Sequence, residues 1–208
     1  MIFAILSVLS AYLMGSIPTA FIFGKLIKGV DIRQHGSGNV GATNAMRILG
    51  RGPGLAVFAI DCFKGFAAVT FLPDYMNKIS PGDLYENSVF YLVLAAAVVA
   101  GHIWTCFLSF KGGKGVATTA GAMLGLFPAI FFAGLVVWVL FFYLFKYVSL
   151  ASLAAALSLP VVSVLTNENL TTTIFMAILC LLGVYSHREN IKRLIQGTER
   201  KIVKVKKR

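Results

Sequence analysis

Long apolar runs constrain this chain more than any other feature. They cover residues 2–23, 53–72, 89–108, 116–145, 149–165 and 173–185. Most reach the length of about 20 residues that spans a bilayer as a helix. In hydrocarbon a backbone must satisfy its own polar groups, and a helix does so within one segment. Only 13 % of the 208 residues are charged, about half the share of a soluble domain. These features predict an all-α integral membrane protein with one domain over residues 1–208.

The fourth run is 30 residues long, too long for one ordinary span and short for two. Charge placement decides how it is read. Residues 25–51 carry five Lys or Arg, loop 109–115 carries two, and the tail after His187 carries nine. Loop 73–88 has one lysine against Asp74, Asp83 and Glu86, and loop 166–170 has only Glu168. Basic loops stay on the cytoplasmic side. Loop 109–115 and Lys146 can both lie there only if 116–145 crosses twice. A split at Phe127-Pro128, where proline interrupts a helix, gives seven transmembrane helices with the N-terminus outside and the C-terminus cytoplasmic. The alternative is six spans with Lys146 reaching outward.

Met1 to Ala20 lack a basic leader region, so a cleavable signal peptide is not expected. The net charge of +11 suits anionic lipid or phosphorylated substrates. It does not suit nucleic acid, because the basic residues sit in short loops beside the spans. The basic tail from Lys201 onward is read as a surface touching lipid headgroups. Cys62, Cys106 and Cys180 have no metal spacing and read as buried thiols. No His/Cys/carboxylate cluster has ligand spacing, and no Ser–His–acid triad or H-x-x-x-x-D box is visible.

Four polar elements then fall on the cytoplasmic face. The first is His35-Gly36-Ser37-Gly38-Asn39-Val40-Gly41-Ala42-Thr43-Asn44, followed by Arg47. It contains G-x-G-x-x-G, but the βαβ context of a dinucleotide site is missing. What remains is a Gly-rich turn entering a short helix near Thr43 to Leu49, which offers amides, hydroxyls and a guanidinium to an anion. A capped turn of purely geometric purpose is the alternative. The second is Lys111-Gly112-Gly113-Lys114-Gly115-Val116-Ala117-Thr118. Leu108 and Gly115 stand where a Walker A loop needs Gly and Ser/Thr. It therefore reads as a phosphate cradle of another kind, or as two topology-setting lysines. The third is Ser149 with Ser152, where Ser149 reads first as a helix N-cap. The fourth begins at Ser186, whose spacing to Glu189 matches a capping box. The helix that follows places His187, Asn190 and Leu194 on one face, with Arg193 close by. Asp61 and Lys64 read as an intramembrane ion pair, and His102 as a packed, hydrogen-bonded side chain.

Taken in order, the motifs at 36–44, 111–118 and 186–193 resemble the three cytoplasmic motifs of the PlsY family of bacterial membrane acyltransferases. The resemblance covers essentially the whole chain. It implies transfer of an acyl group from acyl phosphate to the 1-hydroxyl of sn-glycerol 3-phosphate. The products would be 1-acylglycerol 3-phosphate (lysophosphatidate) and inorganic phosphate, in the first acylation of phospholipid synthesis. It implies seven spans, a bacterial inner-membrane location with a cytoplasmic-face site, no cofactor or required metal, and no acyl-CoA or acyl-carrier-protein donor. Nothing demands more than a monomer. Residue by residue, it puts Ser37, Arg47, Lys111, Ser149, His187 and Asn190 around glycerol 3-phosphate as the catalytic set. It puts Asn39, Gly41, Thr43 and Asn44, with Gly112, Gly113, Lys114 and Gly115, near the acyl-phosphate headgroup. Gly38, Thr118, Arg188 and Arg193 complete the substrate-binding set.

The chemistry agrees with that resemblance. Two anionic substrates need cations and amides. An acyl phosphate is already activated, so charge stabilisation matters more than a protein nucleophile. Direct transfer is expected, with a substrate phosphate assisting proton removal, since the Gly-rich motifs lack a carboxylate. His187, Glu189, Glu199 and Asp31 are the protein candidates for proton acceptor. A transporter of phosphorylated solutes is the competing class, although no pseudo-repeat with paired broken helices is visible. A lipid-binding scaffold without chemistry is a third.

Overall fold

The structure, a computed structural model, describes residues 2–82 and 87–201. Asp83, Glu86 and tail residues 202–208, on which part of the topology and lipid-contact reading rests, lie outside them. The described residues form eleven α-helices. Backbone contacts divide the chain into two compact units, residues 1–128 and 129–208.

In the first unit, α1 (Ile2–Ser16) and α2 (Thr19–Lys28) are separated by Ile17-Pro18. The apolar run alone suggested one uninterrupted helix. Proline lacks an amide donor and clashes with the preceding turn, so carbonyls at the break lose their helical partners. Thr105 Oγ1 donates to Ser16 O at 2.5 Å, and Lys64 Nζ donates to Ile17 O at 3.1 Å. The unit continues with α3 (Ala42–Leu49), α4 (Arg51–Val69), α5 (Phe71–Ile79), α6 (Ser88–Ile103) and α7 (Val116–Leu126). Helix α5 occupies a stretch read as loop. Pro73 is tolerated in a first turn, and Asp74 there complements the helix dipole.

Helices α1 and α6 pack together, as do α4 and α7. A Cβ on Gly65 would stand 2.0 Å from Thr118 O, and one on Gly121 1.8 Å from Cys62 O. Small residues let these backbones touch, which is how helices associate without a hydrophobic drive between them. Toward the loops, Ala20, Ile32, Val40, Ala45, Leu49, Val57 and Leu108 form one buried cluster. It anchors the Gly-rich turn and α3 to the helices.

The second unit contains α8 (Pro128–Phe145), α9 (Val148–Leu165), α10 (Leu170–Ser186) and α11 (Arg188–Ile195). The helix break expected at Phe127-Pro128 is present, with Pro128 at the first helical position, where proline is preferred. Lys146 takes a left-handed φ of +63° between α8 and α9, and its ammonium lies 4.4 Å from the centre of the Tyr143 ring. Trp138 Nε1 donates to Ser152 Oγ at 3.1 Å, joining α8 to α9. Asn169 Oδ1 accepts from Thr172 N at 2.8 Å and caps α10.

Among the described residues, five stretches are long and apolar enough to cross a membrane: Ile2–Lys28, Arg51–Ile79, Ser88–Leu108, Pro128–Phe145 and Val148–Leu165. The pair α10–α11, bent by 60°, passes the same test taken together and would be a sixth if it is one broken span. Helix α7 has only 11 residues, a rise of about 16 Å against a hydrocarbon core of about 30 Å.

Two capping expectations are corrected. Ser149 does not cap α9: Tyr147 holds that position, and Ser149 lies inside the helix with its hydroxyl on Glu199. The Ser186–Glu189 capping box does not form either. Ser186 is the last residue of α10, its buried hydroxyl has no partner, and His187 stands at the junction with α11.

Candidate active site

The Gly-rich turn of the first unit is built around one asparagine. Asn44 is 1 % exposed. Its Nδ2 donates to Ile32 O and His35 O, both at 3.1 Å, and its Oδ1 accepts from Ser37 N at 2.9 Å. Asn44 thus shapes the turn, and its buried amide is not displayed to a substrate. Gly36 has φ +65°, and a Cβ there would stand 2.3 Å from Asn44 Oδ1, so only glycine fits. The turn leaves Ser37 exposed and Asn39 and Thr43 half-buried at the start of α3, whose N-cap is Gly41. Arg47 is exposed one turn further on. Asp31 and Arg33 brace the other end, with Arg33 Nη2 2.7 Å from Asp31 Oδ2. The Arg33 hydrogen bonds hold the Asp31 carboxyl down at about 2. A carboxyl so acidic is a poor base at neutral pH, which removes Asp31 as a proton acceptor.

The second loop returns on itself before it enters α7. Ser109 and Phe110 adopt left-handed φ values of 53° and 60°, which is unusual for a residue as bulky as phenylalanine. That reversal sends Gly112 N to Ile103 O and Gly113 N to His102 O, each at 3.0 Å. These two amides, expected to face a phosphate, are engaged by the end of α6. The amides with no acceptor one turn earlier are those of the first turn of α7, after its N-cap Gly115. A helix start with lysines before it suits an anion. Lys111 is exposed and Lys114 half-buried. Thr118 lies deeper: it is fully buried, its Oγ1 has no partner, and its carbonyl packs on Gly65.

Beneath this loop lies a buried polar group. Asp61 Oδ1 accepts from Thr19 Oγ1 at 2.9 Å and pairs with Lys64 Nζ at 2.8 Å. His102 Nδ1 stands 3.7 Å from the same oxygen. The expected Asp61–Lys64 pair is therefore present, and His102 is packed beside it.

In the second unit, Glu199 gathers three candidate residues. Ser149 Oγ and Asn190 Nδ2 donate to its Oε1 at 2.9 and 2.7 Å, and Arg193 Nε donates to its Oε2 at 2.7 Å. Burial pushes this carboxyl up, but the hydrogen bonds from Arg193, Asn190 and Ser149 outweigh it, and the group sits below its usual range. An engaged, acidified carboxylate is a weak base, so Glu199 also drops out as proton acceptor. Sequence reasoning missed its organising role. The signal was Gly197, which takes φ +68° and closes α11 in a Schellman turn. Thr198 N reaches Arg193 O at 2.9 Å, and the chain folds back along α11.

His187 is buried at the junction of α10 and α11, and its Nδ1 lies 2.8 Å from Gly183 O. A carbonyl can only accept, so Nδ1 carries the proton, and a neutral His187 has its acceptor at Nε2. Arg188 is turned back, with Nη1 donating to Tyr185 O at 3.0 Å and its guanidinium over the Tyr185 ring. Glu189 is exposed. The structure thus brings together Ser37 with Gly38, Asn39, Gly41, Thr43 and Asn44, then Lys111–Gly115 with Thr118, and separately Ser149 with Asn190 and Arg193.

Comparison with known proteins gives one consistent result. The family model described as glycerol-3-phosphate acyltransferase matches residues 5–197. A glycerol-3-phosphate acyltransferase of Bacillus subtilis is 42 % identical over 202 residues, covering 97 % of this chain and 98 % of the relative. One from Desulforamulus reducens is 42 % identical over 198 residues, covering 95 % and 94 %. Two crystal structures of PlsY, an integral membrane glycerol 3-phosphate acyltransferase, superpose on the chain. The glycerol 3-phosphate form has TM-score 0.85, 38 % identity and coverage of 96 % of both chains. The lysophosphatidic acid form has TM-score 0.83, 37 % identity and coverage of 96 % and 95 %.

Proposed function

Because this chain belongs to the glycerol-3-phosphate acyltransferase family, we propose that its acyl donor is acyl phosphate and its acceptor the 1-hydroxyl of sn-glycerol 3-phosphate. Family membership sets aside the transporter and the scaffold. The products are 1-acylglycerol 3-phosphate and inorganic phosphate. The hydroxyl oxygen bonds to the acyl carbon, and the bond from that carbon to the phosphate oxygen breaks. The proton passes to the departing phosphate, which leaves as hydrogen phosphate.

One observation carries this reading. The loop from Lys111 to Gly115 is braced by main-chain hydrogen bonds to the end of α6 and delivers two lysines to the start of α7. Cations and amides fixed in advance stabilise charge on a leaving phosphate without reorganising. Asn39, Gly41 and Thr43, with Lys114 and Gly115, are assigned to the acyl-phosphate headgroup, and Gly112 and Gly113, whose amides are taken by α6, act by holding that loop in place. Ser37, Arg47, Lys111, Ser149, His187 and Asn190 are assigned to glycerol 3-phosphate, and Gly38, Thr118, Arg188 and Arg193 support binding. Asn44 acts through Ser37, whose amide it fixes. With Asp31 and Glu199 engaged by guanidinium groups, proton transfer to substrate phosphate is the simplest route. His187, through Nε2 in its neutral form, and Glu189 remain as protein candidates.

The topology goes with this reading: seven crossings, N-terminus outside, C-terminus and Gly-rich loops cytoplasmic, in the bacterial inner membrane, with one chain sufficing. The break at Phe127-Pro128 and the basic loops support it. A crossing through α7 has to be completed by non-helical residues at its ends.

The deciding experiment measures phosphate release from synthetic acyl phosphate by the protein purified in detergent. Release that requires glycerol 3-phosphate and matches lysophosphatidate formed is expected. Equal acylation from acyl-CoA in place of acyl phosphate would overturn the donor assignment. A covalent acyl group trapped on Ser37, Ser149 or a cysteine would overturn direct transfer.

A further inference from the structure

The imidazole of His102 lies under the glycine pair of the second loop. A Cβ on Gly113 would stand 2.1 Å from His102 Nε2 and 2.7 Å from Val40 O. The His102 carbonyl also accepts the Gly113 amide, and the next carbonyl, Ile103 O, accepts that of Gly112. His102 therefore holds Gly113 by its main chain and supports it with its ring, while its neighbour Ile103 holds Gly112. The other ring nitrogen faces Asp61 at 3.7 Å, and Asp61 is fixed in turn by Thr19 and Lys64. Beside the ring is a cavity of about 10 Å³, bordered by Ser16, Thr19, Thr105 and Gly113. It has room for about one water molecule, so the ring has little space to rotate away.

We propose that His102 is a positioning residue for the acyl transfer. Its imidazole, packed beside Asp61, is the floor on which Gly113 rests, with Gly112 next to it. The floor sets where Lys111, Lys114 and the first turn of α7 stand. His102 touches no substrate itself; it acts through the loop. The left-handed residues Ser109 and Phe110 make this support necessary, because a strained reversal persists only when its surroundings over-determine it. The proposal rests on the reading of this loop as a phosphate holder. An ordinary packed histidine would affect stability but would have no particular coupling to Gly113.

The test is a double-mutant cycle between His102→Ala and Gly113→Ala, read by steady-state kinetics on the detergent-purified protein. Each single change is expected to raise the KM of at least one phosphorylated substrate about tenfold, with kcat within about threefold. Gly113→Ala is expected to cost less in the His102→Ala background, because the ring it strikes is gone. Relief is partial, since Val40 O remains close. His102→Gln, which can reach the Nε2 position, is expected to restore more than His102→Asn, which replaces only Nδ1. Strictly additive effects, or a fall in kcat with both KM values unchanged, would overturn the proposal. Hydrogen exchange supplies a readout independent of turnover. The amides of Gly112 and Gly113 are expected to exchange faster in His102→Ala, or in His102→Gln if the alanine variant does not fold. Unchanged protection there would overturn the proposal. If the unaltered protein releases no phosphate from acyl phosphate, the donor assignment fails, and the exchange measurement still decides the role of His102.

Discussion

Lys64 Nζ lies 2.8 Å from Asp61 Oδ1, one turn along α4, with side chains 6 % and 2 % exposed. Removing one partner of a buried pair leaves the other charge uncompensated, at a cost of about 3–5 kcal/mol. Asp61→Asn is therefore expected to lower the thermal unfolding midpoint sharply. Asp61→Leu combined with Lys64→Met is expected to recover most of that loss. The same double variant keeps the raised KM predicted for a misplaced His102, which separates stability from positioning.

Arg47 and Lys111 are both exposed, so neither is needed to build the core. Arg47→Ala and Lys111→Ala are each expected to reduce turnover by at least about 100-fold, the scale of losing one preorganised charge stabiliser. The unfolding midpoint should stay within error. Near-normal turnover in either variant would remove that residue from the catalytic set.

Asn44→Asp keeps an oxygen for Ser37 N but turns a carboxylate toward Ile32 O and His35 O. The two carbonyls keep their main-chain donors, His35 N and Gly38 N, but lose the one from Asn44 and face a carboxylate instead, a cost of about 1–3 kcal/mol. Activity is expected to fall with stability, because this side chain holds the Ser37 amide. Full activity in a destabilised Asn44→Asp protein would show that Ser37 needs no such support.

The Glu199 carboxyl sits below its usual value of 4.5. A carboxyl whose folded value is lowered contributes stability that is complete above the unfolded value. That contribution is lost as pH falls through the folded value. The unfolding midpoint is therefore expected to be flat near neutrality and to drop below about pH 4.5. Glu199→Gln is expected to start lower and to drop less over the acid range. Parallel curves for the two proteins would refute the linkage.

How much of this was legible beforehand varied with the physics involved. The helix break at Phe127-Pro128, the short α3 and the Asp61–Lys64 pair followed from local chemistry: proline, a glycine-rich entry and charge in hydrocarbon. The break at Pro18 was masked because both flanks are equally apolar. Helix α5 was hidden by Pro73 and Asp74, which look like loop residues yet suit a first turn. The roles of Asn44, His102 and Glu199 depend on partners 12, 11 and up to 50 residues distant in the chain, and no local pattern encodes such pairings. For the same reason the glycine pair at 112–113 looked like a set of open amides, when its donors in fact close onto α6.

The interruption between α1 and α2 has a consequence across evolution. Pro18 opens a carbonyl at Ile17 that the Lys64 ammonium fills. Replacing Pro18 by a helix former would let α1 run on and withdraw that carbonyl, leaving the ammonium to Asp61 alone. Removing Lys64 would leave that carbonyl with the Thr19 amide as its donor. Each residue supports the other's place in the break, and the two are expected to be selected as a unit. Among homologues, Pro18 and Lys64 are expected to be kept or exchanged together, although 46 positions separate them in the chain.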